Sequence, residues 1–444
     1  MAEKLLIGRT GKKMDTTPKR VAVIGAGSAG LCALRHYSSR PEDFSVVAFE
    51  QTDTVGGTWV YTDQVGTDRF GLPVHSSMYK SLRTNIPKEV MAFPDFPFRE
   101  ELPSFIKHSE VLEYLQEYGK HYNLEQYIKF NTCVEEVKPI QEKNCFKHWR
   151  LTYRNLLDTS SPLHTEEFDS VMVCNGHYST PLLPDLPGSA DFRGLVMHSH
   201  DFREADPFQD MTVVCLGAAS SGLDISIEIS KVAKKVLLSH NKPLVESEMP
   251  SNLEQVTGID HLEQNAVVFK DGRRVVADAI VYCTGYKFSF PFLSKQCGLE
   301  IKDERITPLY KHMIHTTFPT LFFIGMCKII CPFPQFHCQI LVTMAILEGS
   351  VQLPCKEEMD ADTEADFQRR LGEGLPIRHA HLMGKRQWSY NDELAVIGHF
   401  QPIDKSLQNL YNHVHATRVK DLMNYKKICY ELTDSENFRV VGSV

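Results

Sequence analysis

The chain has 444 residues, with 48 basic and 56 acidic side chains and a formal charge of −8. Apolar residues make up 42% and charged residues 23%, the balance of a soluble globular protein, which excludes a chain disordered throughout. At about 150 residues per domain the length predicts two or three domains, and the acidic balance gives no overall electrostatic footprint for nucleic acid or an anionic membrane.

The N-terminal segment MAEKLLIGRTGKKMDTTPKR lacks the apolar region of a signal peptide. The most apolar stretch, from Phe318 to Pro334, is broken by Lys328 and bracketed by prolines, so it falls short of the roughly 20 apolar residues a membrane span needs. The 12 cysteines include no C-x-x-C pair. Cys174, Cys215 and Cys283 each lie in an apolar strand-like run, where a thiol acts as a small hydrophobe. They read as free buried thiols of a reducing compartment rather than a disulfide framework. These features predict a cytoplasmic protein with no transmembrane anchor and no nucleic-acid partner.

Residues 21–50 read as strand (VAVIG), glycine turn, helix and strand (SVVAFE). Residues 212–239 repeat that order, with TVVCLG, a helix and KKVLLS. Each is a βαβ unit of about 30 residues, the building block of a doubly wound parallel sheet. Asp169–Gly176 reads as a further buried strand, followed by the proline-rich PLLPDLPG, and ADAIVYCTG as another that ends near Gly285. The predicted fold class is α/β with two Rossmann-like dinucleotide-binding domains, one inserted into the other at these two crossings. The boundaries are 1–188 and 288–444 for the outer domain and 189–287 for the inserted one. Leu321–Gly325 is then a returning strand and Cys338–Leu347 a helix, with amphipathic helices toward the C-terminus.

The first glycine turn, Gly25-Ala26-Gly27-Ser28-Ala29-Gly30, directly follows an apolar strand. A G-x-G-x-x-G turn bends tightly, lets the backbone approach a pyrophosphate and packs a helix on its strand, while the helix N-terminus offers free N–H groups to phosphate. Glu50 ends the second strand, where a carboxylate can accept from ribose hydroxyls. Gly56-Gly57-Thr58-Trp59 follows, and Glu-x5-Gly-Gly is a common continuation in FAD-binding chains. The second turn, Gly217-Ala218-Ala219-Ser220-Ser221-Gly222, departs from the pattern because Ala219 places a methyl group where the pyrophosphate approaches. The next strand ends in Ser239-His240-Asn241-Lys242, with no acidic residue at the ribose position. A polar and basic end accommodates a 2′-phosphate, so NADPH is favoured over NADH, with His240 and Lys242 as candidate contacts. No cysteine occurs between Cys32 and Cys133, which rules out a disulfide reductase with a redox pair after the Gly-Gly turn. His198/His200 and His379/His381 are i, i+2 pairs without the partner ligands of a zinc motif, so no metal is expected.

Phe192, Gly194, His198 and Phe202 match F-x-G-x-x-x-H-x-x-x-F/Y just before the second turn, and Cys283-Thr284-Gly285-Tyr286 lies just after the inserted unit. With Asn85-Ile-Pro-Lys88-Glu89 and the two glycine turns, this combination resembles the flavin-containing monooxygenases over roughly residues 20–350. In length and ending it is similar to shorter soluble members, including insect enzymes that N-oxygenate pyrrolizidine alkaloids. The resemblance implies FAD at Gly25, Gly27, Ser28, Gly30, Glu50, Gly57, Thr58 and Trp59, with late contacts at Gly325 and Gln339. It implies NADPH at Gly217, Ser220, Ser221 and Gly222, cofactor contacts at Thr84 and Asn85, and a catalytic role for Asn85 as the active-site asparagine facing the flavin. The activity it implies is NADPH- and O2-dependent oxygenation of a soft nitrogen or sulfur nucleophile in a small amine or sulfide, through a C4a-hydroperoxyflavin. His198 is expected to hold the inserted domain in register rather than to transfer protons, and a homodimer is compatible with the family. A Baeyer–Villiger oxygenase, an H2O2-forming NADPH oxidase and a binding module that keeps only the fold are the alternatives.

Overall fold

The computed structural model describes residues 17–443 except 144, 159 and 161, so residues 1–16 of the N-terminal segment lie outside the described residues. Two parallel sheets dominate. The first has seven strands, in the spatial order Leu309–Tyr310, Ile314–His315, Leu321–Phe323, Ser170–Val173, Lys19–Ile24, Phe44–Phe49 and Ile128–Lys129. From Leu321–Phe323 onward the neighbours run parallel. Val21, Ala22 and Val23 are wholly buried because the central strand is covered on both faces. Leu31, Cys32 and Leu34 of the Ser28–Ser38 helix pack on one side, while Phe49, Trp149 and Phe168 fill the other.

The second sheet has five parallel strands, ordered Leu253–Val256, Lys235–Ser239, Thr212–Leu216, Ala279–Tyr282 and Leu195–His198. All five lie between Leu195 and Tyr282, whereas the first sheet draws strands from before and after that span. The chain leaves and returns at one place. Thr180–Pro181 pairs antiparallel with Tyr286–Lys287, and the Leu182 amide donates to the Gly285 carbonyl at 2.9 Å.

The helix expected from Cys338 begins six residues earlier and spans Pro332–Glu348. Pro332 occupies its first turn, where the missing N–H costs no hydrogen bond and the fixed φ suits a helix start. The C-terminal region forms helices at Lys356–Gly372, Gln387–Gly398 and Lys405–Lys420, as the periodicity predicts. It closes with a hairpin, Ile428–Leu432 and Phe438–Ser443, that the sequence reading did not anticipate. The antiparallel sheet of Thr132–Glu142, Cys145–Asn155 and His164–Phe168 was likewise not foreseen. Every cysteine is a free thiol, and eight are buried. Among the described residues no helix is long and apolar enough to cross a membrane.

Candidate functional site

Both glycine turns sit at the carboxyl ends of parallel strands, where ligands of doubly wound sheets bind. Gly25 has φ +98°, and a side chain there would lie 2.8 Å from the Cys174 carbonyl oxygen. A Cβ on Gly30 would lie 1.9 Å from the Gly25 carbonyl oxygen, so the helix meets its strand at a distance only hydrogen permits. Gly27 caps the Ser28–Ser38 helix without any side-chain acceptor, which leaves the helix amides open to an anion. The Gly56-Gly57 turn docks on this one. The Gly56 amide donates to the Ala26 carbonyl at 3.1 Å, and a Cβ on Gly57 would lie 3.0 Å from the Gly27 Cα. Thr58 and Trp59 continue as a half-buried single turn beside it.

The buried Glu50 carboxylate joins the two pieces. One oxygen accepts from the Ala26 amide at 2.7 Å, and the other accepts from the Thr52 amide at 2.8 Å and the Thr52 hydroxyl at 2.7 Å. Burial pushes its pKa up, while those hydrogen bonds pull against that shift. Beyond the neighbouring Ser170–Val173 strand, the Asn175 Oδ1 atom is buried with no hydrogen-bond partner among the described residues. A glycine cradle, open helix amides and an unsatisfied buried polar atom at the carboxyl end of one sheet fit a polar, phosphate-bearing ligand.

The second turn repeats the construction. Gly217 has φ +110°, and a Cβ on Gly222 would lie 1.7 Å from the Gly217 carbonyl oxygen. Ala219 stands at the N-cap of the Ser220–Ser230 helix with no side-chain capping bond, and Ser221 is exposed. His240 is engaged inside the protein. Its Nε2–H faces Gln255 Oε1 at 3.1 Å, and Nδ1 accepts from the Lys242 amide at 3.2 Å. The ring therefore shapes the bend that presents Lys242, whose own side chain is exposed.

The F-G-H-F spacing has a packing reason at each position. Phe192 lies over Gly194, where a Cβ would meet its ring at 2.6 Å and the Asp278 carbonyl at 2.5 Å. The following residues enter the sheet as Leu195–His198. Phe202 is wholly buried beside Tyr79 and Phe208. His198 grips the return crossing. Its Nε2–H donates to the Gly285 carbonyl at 3.1 Å, and Nδ1 accepts from the His200 amide at 3.0 Å. This pattern requires a neutral ring, and burial lowers its pKa to about 4. A folded-state value below the ordinary 6.5 contributes stability above pH 6.5 that is lost as pH falls toward 4. His198→Gln retains an amide donor and removes the titration. Its melting temperature is expected to fall less steeply than wild type across that window, and an unchanged slope in thermal unfolding would count against the clamp.

Asn85 lies in a loop anchored on both sides. Thr84 exchanges backbone and hydroxyl bonds with Ile106, and the Lys88 amide donates to the Ser104 carbonyl at 2.7 Å. Arg83 donates to the Phe105 carbonyl. Between these anchors the half-buried Asn85 side chain makes no hydrogen bond among the described residues. Gly325 has φ +81°, and its amide donates to Gln339 Oε1 at 2.9 Å. Gln339 Nε2 donates in turn to the Tyr390 hydroxyl at 3.0 Å, so the buried Gln339 uses both ends of its amide to brace the Gly325 turn.

Arg203 was not singled out by the sequence reading. Its buried guanidinium donates to the carbonyls of Thr62, Gln64, Ser76, His200 and Phe202, sewing the loop after Trp59 to the fingerprint segment. Only its place beside Phe202 could have drawn attention to it.

The flavin-binding monooxygenase-like family model matches residues 18–245 and 241–397. Flavin-containing monooxygenase FMO GS-OX-like 2 of Arabidopsis thaliana is 38% identical, over 89% of this chain and 88% of its own length. Flavin-containing monooxygenase FMO GS-OX3 of the same plant is 39% identical over 85% and 84%. Among solved structures, S-allyl-L-cysteine S-oxygenase from Allium sativum superposes with a TM-score of 0.85 at 34% identity, covering 92% of this chain and 95% of that one. Tmm from a Pelagibacter species gives 0.84 at 28% identity, covering 96% of both. With two parallel sheets, a glycine turn on each and these relatives along almost its whole length, the chain belongs to the flavin-binding monooxygenase-like family and is a flavoprotein monooxygenase with FAD and NADPH as its cofactors.

Proposed function

We propose that the chain transfers one oxygen atom from O2 to a soft sulfur or nitrogen nucleophile of a small molecule at the expense of NADPH. The observation that carries this reading is the pair of glycine turns, each closed so tightly that a Cβ would strike a backbone carbonyl, on two sheets joined by paired crossings. FAD belongs to the outer unit, 1–188 with 288–444, and NADPH to the inserted unit, 189–287. Bound FAD, once reduced by NADPH, supplies the activation of O2. The chain's residues position and neutralise. The Gly27 and Gly57 backbones admit the FAD pyrophosphate, the helix starting at Ser28 offers its amides to it, and Glu50 holds the first turn while keeping acceptor capacity for a ribose hydroxyl. Lys242, exposed after the next strand, would hold the 2′-phosphate of NADPH. The free Asn85 carboxamide both donates and accepts at the reacting oxygen. The free, largely buried thiols suit a cytoplasmic setting.

Sulfur is favoured over nitrogen by the likeness to an enzyme named as an S-allyl-L-cysteine S-oxygenase. Cyclohexanone monooxygenases share the fold at 14–16% identity, which supports no ketone chemistry here. The test offers FAD-loaded protein NADPH and O2 with an S-alkyl cysteine, a tertiary amine or a cyclic ketone. The expected product is the sulfoxide or N-oxide in step with NADPH consumed. Lactone as the main product, or H2O2 equal to NADPH with every substrate, would overturn the reading.

A further inference from the structure

The second glycine turn has a methyl group at Ala219 and no basic side chain among residues 217–222, so the turn itself brings no positive charge to a dinucleotide. The structure brings that charge from elsewhere in the chain. Arg418 lies in the last turn of the Lys405–Lys420 helix, and its Nη1 donates to the Ser220 hydroxyl at 3.3 Å, across 198 residues of sequence. Ser220 is the first residue of the helix that follows the second turn.

Three features make this contact unlike an ordinary surface arginine. Arg418 forms no ion pair among the described residues, although most other arginines here do. The nearby carboxylate on that helix, Asp224, is paired with Lys426 rather than with Arg418. Lys385 and Arg418 both bear on His415, and the Arg418 guanidinium lies 5.7 Å from the centroid of the Tyr425 ring. A cation is thus held beside the N-terminus of a helix, the positive end of its dipole, where like charge costs energy unless an anion lies between them. The segment is also fixed in place. Lys426 pairs with Asp224 of the same helix at 2.7 Å and donates to the Arg83 carbonyl, and the Tyr79 hydroxyl donates to Asp224 at 3.1 Å.

We propose that Arg418, delivered by the C-terminal helix, binds the pyrophosphate of the nicotinamide dinucleotide at the second glycine turn and makes up for the charge and glycine that turn lacks. The inference rests on the reading of the second turn as the NADPH site. It assigns Arg418 to the pyrophosphate and leaves the 2′-phosphate to Lys242, because Ser220 belongs to the turn and Lys242 to the end of the next strand.

The test is equilibrium titration of FAD-loaded wild type, R418A and R418K with NADP+ and with NAD+, read by protein fluorescence. Flavin absorbance and melting temperature serve as folding controls. R418A is expected to weaken both dinucleotides by the same factor, roughly tenfold to a hundredfold, as for a lost charge-assisted hydrogen bond. R418K recovers part of the loss and the flavin spectrum stays unchanged. Unaltered affinity in R418A overturns the proposal. So does a loss confined to NADP+, which would move the arginine to the 2′-phosphate, and so does a loss of flavin or melting temperature, which would make the contact structural. Wild type that binds neither dinucleotide would instead sink the reading of the second turn itself.

Discussion

Asn85→Ala is expected to purify with its flavin while forming oxygenated product about 10²–10³-fold more slowly. The prediction follows from what the side chain does not do within the protein. Its loop is tied down by Thr84 on Ile106, by Arg83 on Phe105 and by Lys88 on Ser104, so removing one carboxamide leaves the backbone path intact. Among the described residues the amide has no partner to abandon, and its loss should cost little stability. A preorganised donor aimed at developing charge is worth about 2.7–4 kcal/mol of barrier, the source of the predicted factor. NADPH consumption should continue, with H2O2 in place of product. Asn85→Asp should fare no better, because a carboxylate accepts but cannot donate. Wild-type product formation by either variant, measured per NADPH oxidised, would remove Asn85 from the reaction.

Substituting the last glycine of each turn should separate the two cofactors. A Cβ at Gly30 lies 1.9 Å from the Gly25 carbonyl oxygen, and one at Gly222 lies 1.7 Å from the Gly217 carbonyl oxygen. In both cases the obstacle is backbone, which cannot swing aside as a side chain can. The helix must move off its strand, and with it the amides proposed to hold the phosphates. Gly30→Ala is expected to elute colourless or to lose most of its FAD. Gly222→Ala should stay yellow and be reduced by dithionite but not by NADPH. Equal flavin loss in both variants would show that the turns are not independent sites.

Much of the architecture was legible because it rests on local chemistry. A turn that needs glycine at three fixed positions, followed by a helix and ended by Glu50, can be read without long-range contacts, and the structure places the Glu50 carboxylate on the Ala26 amide of that turn. The F-G-H-F spacing was legible as a pattern, but its reason was not. That Gly194 makes room for Phe192, and that His198 holds the carbonyl of Gly285, are contacts across the fold. Gln339 and His240 show the opposite limit. Sequence names them as cofactor contacts, and it does not foresee that their polar atoms also engage Gly325, Tyr390, Gln255 and Lys242. Arg203 and Arg418 were invisible because an arginine's partners, here carbonyls on three segments and a serine 198 positions away, leave no periodic trace. The start of the Pro332–Glu348 helix was missed because its prolines read as a break rather than as a first turn.

The placement of sulfur has a consequence for an enzyme that handles reactive oxygen. The form of cysteine that attacks peroxide is the thiolate, and burial raises the pKa of Cys32, Cys174, Cys215, Cys283, Cys327, Cys331 and Cys338, keeping each protonated at neutral pH. Whatever oxidant escapes an idle cycle therefore meets interior sulfur in its inert form. Damage from within should begin at the solvent-facing Cys145 and Cys355, which makes the catalyst's lifetime a property of its surface rather than of its core.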